Sequence, residues 1–317
     1  MTDLKNISLA AQYIKAGKLV AFPTETVYGL GANALDPLAV AKIFDLKARP
    51  NFDPLIVHIA DMASIEKLTM GGDARVQLLA EAFWPGPLTL ILPKSELVPD
   101  IVTSGLKTVG IRMPDHPIAL ELIRQSGCPI AAPSANKFGQ ISPTKAQHVL
   151  KQLPHVDYIL DGGSTQVGIE STIISLNEHG FEILRHGIIT KEAIEAIVPH
   201  HKPLPENQRD IVSPGMLKSH YSPAKPIYIL KDDKLPANID KSKAGLIIVK
   251  DKNISGFKTV VSLSDDGDLR TCAVNLFAAM HHLEEADIDY ILVEPVPEKG
   301  IGIAIMDKLK KASYQYL

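Results

Sequence analysis

Residues 199–226, PHHKPLPENQRDIVSPGMLKSHYSPAKP, divide the chain. Prolines at 199, 203, 205, 214, 223 and 226 interrupt a polar run that has no hydrophobic period. Such a stretch is too long for an ordinary connection inside a compact domain, so it reads as a linker, a functional lid, or both. Its Gly-Met turn and its His220-Tyr221 pair between prolines are more elaborate than a passive tether needs. The stretch predicts two domains, 1–198 and 227–317, and 317 residues are too many for one ordinary core.

Upstream, Ile7, Ala10, Ala11 and Ile14 have helical spacing with Gly17 as a C-terminal stop, and the apolar run 19–22 reads as a buried strand broken by Pro23. Asp36 and Pro37 look like an N-cap and a first-turn proline. Lys47 then falls in the last turn of that helix, and Pro50 forbids helical geometry at Arg49. Strands are expected at 55–59, 88–92, 108–112, 158–161, 171–176 and 181–185, and helices at 74–83, 117–126, 144–153 and 190–198. Strands and helices do not alternate simply, so the expectation is α/β: a twisted mixed sheet with flanking helices.

Downstream, the strand-like runs 227–230, 246–249 and 290–293 alternate with helical patterns, and Leu269, Cys272, Ala273, Leu276, Phe277 and Met280 form one apolar stripe. Repeated strand–helix units predict a small Rossmann-like sheet. No GxGxxG opens its first helix, so dinucleotide binding has no support. The whole chain is 45% hydrophobic and 22% charged with a net charge of −3, which suits a globular protein and disfavours one built to coat nucleic acid. Cys128 and Cys272, far apart in apolar stretches, read as buried free thiols in a reducing compartment. No apolar run is long enough to span a membrane and no signal-peptide pattern opens the chain, which predicts a cytoplasmic location.

Chemistry-bearing residues cluster upstream of the linker. KARPNFDP, 47–54, places Lys47 and Arg49 two residues apart, a pair suited to a phosphate chain or to a solvated helix end. PTETVYGLG, 23–31, suits a loop approaching a small polar ligand, or an ordinary strand-to-helix turn. His58 lies inside LIVHI, a core or edge position. Arg112 ends the apolar strand TVGIR, where a guanidinium needs a partner, either a substrate carboxylate or a structural Asp or Glu. Ser134, Asn136 and Ser142 sit on the rigid loop PSANKFGQISP, and Ser171 and Arg185 on GIESTII and LRHG. CxxC, HExxH and Walker patterns are all missing from the sequence, so cations, hydroxyls and glycines point to an anionic nucleotide more than to covalent catalysis.

Taken in order, PTETVYGLG, the KxR pair, FWPGPLT, VGIRMP, PSAN, GIESTI, LRHG, SPGM…HYSP and GIGIAIMDKL resemble the YrdC/Sua5 family of threonylcarbamoyl-AMP synthases, in its two-domain form. The resemblance implies a YrdC-like catalytic domain and a reaction of L-threonine, bicarbonate and ATP, with Mg2+. The products are threonylcarbamoyl-adenylate and pyrophosphate, and the adenylate is passed to a tRNA threonylcarbamoyl transferase complex, with weak tRNA contact by the chain itself. It implies ATP contacts at Lys47, Arg49, Asp53, Thr108, Ser134, Asn136, Ser142, Arg185 and Tyr221, with Lys47 and Arg49 acting on the triphosphate. It implies threonine contacts at Thr26, His58, Arg112, Ala132 and Ser171, and a lid at 199–226.

A carbamoyl-adenylate module of hydrogenase maturation is a rival, although its acylphosphatase-like and zinc-finger segments are missing here. The non-enzymatic rival is an RNA-binding protein of the same fold. Asp53 departs from the family pattern, which has asparagine there. A carboxylate only accepts hydrogen bonds, so Asp53 pairs with Lys47 or Arg49, holds Mg2+, or caps the turn before Pro54.

Overall fold

The computed structural model describes residues 4–200, 213–215, 219–230 and 239–314; the remainder of the 199–226 stretch, 201–212 and 216–218, lies outside the described residues. The chain runs α1 (Leu4–Lys15), β1 (Val20–Phe22), β2 (Gly29–Asn33), α2 (Pro37–Lys47), β3 (Ile56–His58), α3 (Ala63–Leu68), α4 (Ala74–Phe83), β4 (Leu88–Pro93), α5 (Asp100–Thr103) and β5 (Thr108–Arg112). It continues α6 (Pro117–Ser126), β6 (Ile130–Ala131), α7 (Ala146–Gln152), β7 (Tyr158–Ile159), β8 (Thr172–Asn177), β9 (Gly180–Arg185) and α8 (Lys191–Glu195). After the linker come β10 (Ile227–Ile229), β11 (Ala244–Lys250), β12 (Thr259–Ser264), α9 (Leu269–Glu285), β13 (Tyr290–Val293) and α10 (Ile301–Ser313).

The first sheet has order β7-β1-β2-β6-β3-β5-β4-β8-β9 and mixes parallel and antiparallel pairs. Alternation along β1 explains why helices cover both faces: Val20 and Phe22 pack with α1 and α6, while Ala21 faces the core shared with α2 and α4. Asp36 caps α2 by accepting from the Leu38 and Ala39 amides, and the helix stops at Ala48, whose φ of 51° turns the chain toward Arg49.

The second sheet is all parallel, β10-β13-β11-β12. Its core runs into the first domain, because Val27, Ile141, Ile169 and Ile188 cluster with Tyr221, Leu276, Phe277 and Met280. At Gly168 (φ 76°) the backbones touch: a Cβ there would fall 2.1 Å from the Val274 carbonyl oxygen. The His148 and His281 rings stack across the same interface with centroids 3.8 Å apart.

Some expectations need correction. Residues 23–31 are not all loop: β2 begins at Gly29 and pairs with β1, and its glycines hid the strand pattern. Gly31 is required there, since a Cβ would lie 2.8 Å from both Ile130 Cγ2 and the Phe22 ring. The helix expected at 190–198 is only Lys191–Glu195, and the strand expected at 158–161 is only Tyr158–Ile159. Cys272 is buried, but Cys128 is half-buried because it follows the left-handed Gly127 cap that brings the chain to the surface.

Candidate active site

Loops leaving the first sheet line a narrow cleft. Thr24 organises the β1–β2 loop: its hydroxyl donates to the Val27 carbonyl at 2.7 Å and accepts from the Thr26 and Val27 amides. The Tyr28 and Leu30 amides donate to the Pro143 and Pro133 carbonyls, and the Ala135 amide to the Tyr28 carbonyl, so this loop is laced to the PSAN loop. Tyr28 anchors the far side by donating its hydroxyl to the Gly163 carbonyl at 2.8 Å.

Of the residues singled out by sequence, Thr26, Arg49, His58, Arg112, Ala132, Ser134 and Arg185 line the cleft. Lys47, Asp53, Asn136, Ser142, Ser171 and Tyr221 stand behind this lining. Lys47 is 1% exposed and donates to the Ser134 carbonyl at 2.6 Å and to the Asn136 carbonyl, tying α2 to the PSAN loop. Burial, then the Arg49 charge, push its pKa well below the ordinary lysine value. Ser171 accepts from Arg185 Nη2 at 2.9 Å and shares a hydrogen bond with Thr89, fixing the guanidinium on the cleft wall. Ser142 donates to Glu170 at 2.5 Å, and Asn136 donates its amide to the Lys137 and Gln140 carbonyls. Thr108 is not brought to the cleft: it starts β5 opposite Pro93, about 13 Å of strand from Arg112.

Asp53 is paired with Arg49. Arg49 donates Nε to the Asp53 carbonyl and Nη2 to the Pro54 carbonyl, both at 3.0 Å, and Nη2 lies 2.9 Å from Asp53 Oδ2. Because the guanidinium protons are aimed at the carbonyls, neither carboxylate oxygen receives a hydrogen bond among the described residues. Burial raises the Asp53 pKa against the pull of Arg49, Lys47 and Arg185.

Arg112 also has a structural partner. Its Nη2 lies 2.5 Å from Glu25 Oε1, both side chains are buried, and Nε reaches the Gly86 carbonyl at 3.4 Å. His58 beside it is buried and held neutral: burial, then Arg112, bring its pKa down to about 3. Sequence reasoning missed Glu25 and Glu170; Glu170 lines the cleft with Thr24 and with Pro214, Gly215 and His220 of the SPGM and HYSP motifs. The available signal was a carboxylate set among hydroxyls and apolar residues in TET and GIEST, a composition that asks for a buried cation or hydroxyl partner. Tyr221, at φ 64°, packs its ring on Phe277 with centroids 5.3 Å apart.

Fold and cleft define an α/β protein whose cleft gathers Arg49, Arg112 and Arg185, with a second, parallel-sheet domain docked against it. A family model described as "Telomere recombination" matches residues 12–187, and one described as "Threonylcarbamoyl-AMP synthase, C-terminal domain" matches residues 189–313. The chain is 44% identical to the threonylcarbamoyl-AMP synthase of Bacillus subtilis over 98% of its own length and 94% of the relative's. It is 45% identical to that of Pyrococcus abyssi, with 97% and 94% covered. The crystal structure of P. abyssi Sua5 complexed with L-threonine superposes with a TM-score of 0.89 at 44% identity, covering 97% of this chain and 94% of that one. The chain belongs to the threonylcarbamoyl-AMP synthase family.

Proposed function

We propose that the chain makes L-threonylcarbamoyl-adenylate from L-threonine, bicarbonate and ATP, releasing pyrophosphate, for threonylcarbamoyl modification of tRNA. One observation carries the residue-level reading: Arg112, on β5, faces the same cleft as Arg49 and Arg185, which arrive from a different loop and a different strand. A carboxylate clamp therefore sits beside a polyphosphate cradle. In the first step the threonine nitrogen bonds to the bicarbonate carbon, and water and the amine's surplus proton leave. A carbamate oxygen then attacks the α-phosphorus, and the bond to pyrophosphate breaks.

Amines carboxylate without an enzyme, so the chain's tasks are alignment and charge stabilisation. Arg112 holds the threonine carboxylate through donors that Glu25 does not use, with Thr26, neutral His58 and Ala132 around the amino acid. Arg49 and Arg185 take the triphosphate, helped by Ser134. Lys47, Asn136, Ser142 and Ser171 act through the loops and side chains they hold in place. Residues 199–226 serve as a strap that excludes water from a labile carbamate and mixed anhydride, supported by the position of Pro214, Gly215 and His220 in the cleft wall. A chain ending at residue 198 therefore loses most of its adenylation rate; full rate in that truncation refutes the strap.

Magnesium would arrive with ATP. Among the described residues no group of three or more metal-ligating side chains gathers, and Asp53, the carboxylate beside Arg49, is paired with it. The reading places the work in the cytoplasm, ahead of a transferase complex; no helix among the described residues is long and apolar enough to cross a membrane. The direct assay is pyrophosphate release with threonine, bicarbonate and ATP omitted in turn. Release that does not depend on threonine overturns the reading.

A further inference from the structure

The last helix of the second domain sends two ammonium groups toward the ATP side of the cleft. The buried stripe of α10 includes Ala304, Ile305, Leu309 and Ala312, and Lys308 falls within it. Its side chain is 0% exposed. Burying an ammonium is expensive, and a methionine would fill the space without that cost, so the charge needs a reason. Its partners supply one. Lys308 Nζ donates to the His186 carbonyl at 2.6 Å, immediately after Arg185, lies 3.1 Å from Asp307, and stands 5.5 Å from the centre of the Tyr221 ring.

The other side of that turn is equally constrained: a Cβ at Gly187 would fall 2.4 Å from the Thr172 amide and 2.5 Å from the Glu170 carbonyl. The backbone carrying Arg185 is thus pinned between β8 and α10.

Lys311 acts on the strap. Its Nζ donates to the Gly215 carbonyl at 2.8 Å and pairs with Asp307 at 2.7 Å, while its own carbonyl accepts from the His220 amide at 3.2 Å. Ser222 adds a hydrogen bond to the Ala312 carbonyl at 3.3 Å. Gly215 (φ 82°) lies directly on Arg185, where a Cβ would be 2.9 Å from Arg185 Cδ. Asp307 joins the two lysines: burial opposes its charge, but Lys308 and Lys311 bring its pKa down to about 2.

We infer that Lys308 and Lys311, from the second domain, are positioning residues for ATP binding in the first, holding the turn after Arg185 and the strap at Gly215 in the arrangement that receives the triphosphate. The inference rests on the function proposed above, and it gives the second domain a part in the chemistry: α10 completes the wall on which Arg185 is aimed.

The test is calorimetric titration of the full-length protein with α,β-methylene-ATP and, separately, with L-threonine. Lys308→Met weakens the ATP analogue about tenfold and Lys311→Met about threefold, by loss of charge-assisted hydrogen bonds, while threonine affinity stays within about twofold. Lys310→Met, which breaks only the exposed pair of Lys310 with Glu298, leaves both affinities unchanged. Lys311 is near the surface, so its variant tests the same claim without disturbing the core. Unchanged analogue affinity in the Lys308 and Lys311 variants overturns the inference, as does an equal fall in threonine and analogue affinity. A wild-type protein that binds neither ligand overturns the underlying function instead.

Discussion

Replacing Asp53 by asparagine separates two roles for the carboxylate beside the phosphate cradle. The change is isosteric and removes one negative charge next to Arg49, at 2.9 Å in the ion pair. A phosphate held by Arg49 would lie roughly 7 Å from that carboxylate, where two unit charges repel by about 2 kcal/mol at an effective dielectric of about 20. Water and the neighbouring cations screen this to about 1 kcal/mol, or about fivefold in Kd. The variant should therefore bind α,β-methylene-ATP about fivefold more tightly, with and without Mg2+. Its stability should change by no more than about 1 kcal/mol, because burial already makes the charged form of Asp53 costly despite its cations. Calorimetric titration and thermal unfolding read the two quantities. Binding weakened tenfold or more only when Mg2+ is present would refute this reasoning and make Asp53 a metal ligand.

Other perturbations follow from the same geometry. Glu25→Ala strands a buried guanidinium at Arg112 and should cost about 3 kcal/mol in urea unfolding; a loss below about 1 kcal/mol means that the pair is not structurally important. Gly31→Ala forces a Cβ against Ile130 and Phe22, for an expected loss of about 1–3 kcal/mol, whereas the same change at Gly139 (φ 79°) meets no neighbour and carries only the cost of a left-handed backbone. The stacked His148 and His281 have pKa values lowered to about 3 and about 4, chiefly by burial, with Lys145, Lys151 and Glu285 as charged neighbours. Unfolded imidazoles titrate near about 6.5, so the unfolded chain takes up protons that the folded pair refuses. Unscreened, the two shifts amount to roughly 5 kcal/mol between about pH 6.5 and about 4; because His148 is partly exposed, stability should fall by about 2–4 kcal/mol. His148→Phe keeps an aromatic ring and should flatten that slope in unfolding measured across pH; an unchanged slope assigns the acid sensitivity to other groups.

What was legible in the sequence was legible for local reasons. The strands Thr108–Arg112 and Tyr290–Val293 and the helices Ala74–Phe83 and Pro117–Ser126 were placed at their observed limits, because caps, prolines and hydrophobic period agree there. β2 was not legible, since glycines at 29 and 31 serve close packing against Phe22 and Ala132 and carry no strand signal of their own. β6, only Ile130–Ala131, is too short for any period. β12, TVVSLS, is not among the strand-like runs singled out by sequence, and α10 enters only through the motif GIGIAIMDKL. Within the site, cations and hydroxyls were visible because their types advertise anion chemistry. Their partners were not, because pairing depends on which loops meet: Glu25 reaches Arg112 across 87 residues, and Lys308 reaches His186 across 122.

Those pairings bear on how the cleft can work. Arg112 is held by Glu25, Arg49 by Asp53 and Lys308 by Asp307, so the cations are fixed before any substrate enters. A fixed donor costs little reorganisation when charge develops, whereas a free lysine or arginine would have to be ordered in the transition state. The expense lies in the carboxylates: one oxygen of Glu25, one of Glu170 and both of Asp53 are buried without a hydrogen bond among the described residues. Replacing these carboxylates by neutral residues would relieve that burial cost while loosening the cations they hold. The same trade separates the two sides: in Asp53→Asn, Arg49 keeps two backbone acceptors, whereas among the described residues Arg112 has only the Gly86 carbonyl, at 3.4 Å, besides Glu25. On the proposed assignment, the threonine side of the cleft therefore depends on its buried carboxylate more than the ATP side does.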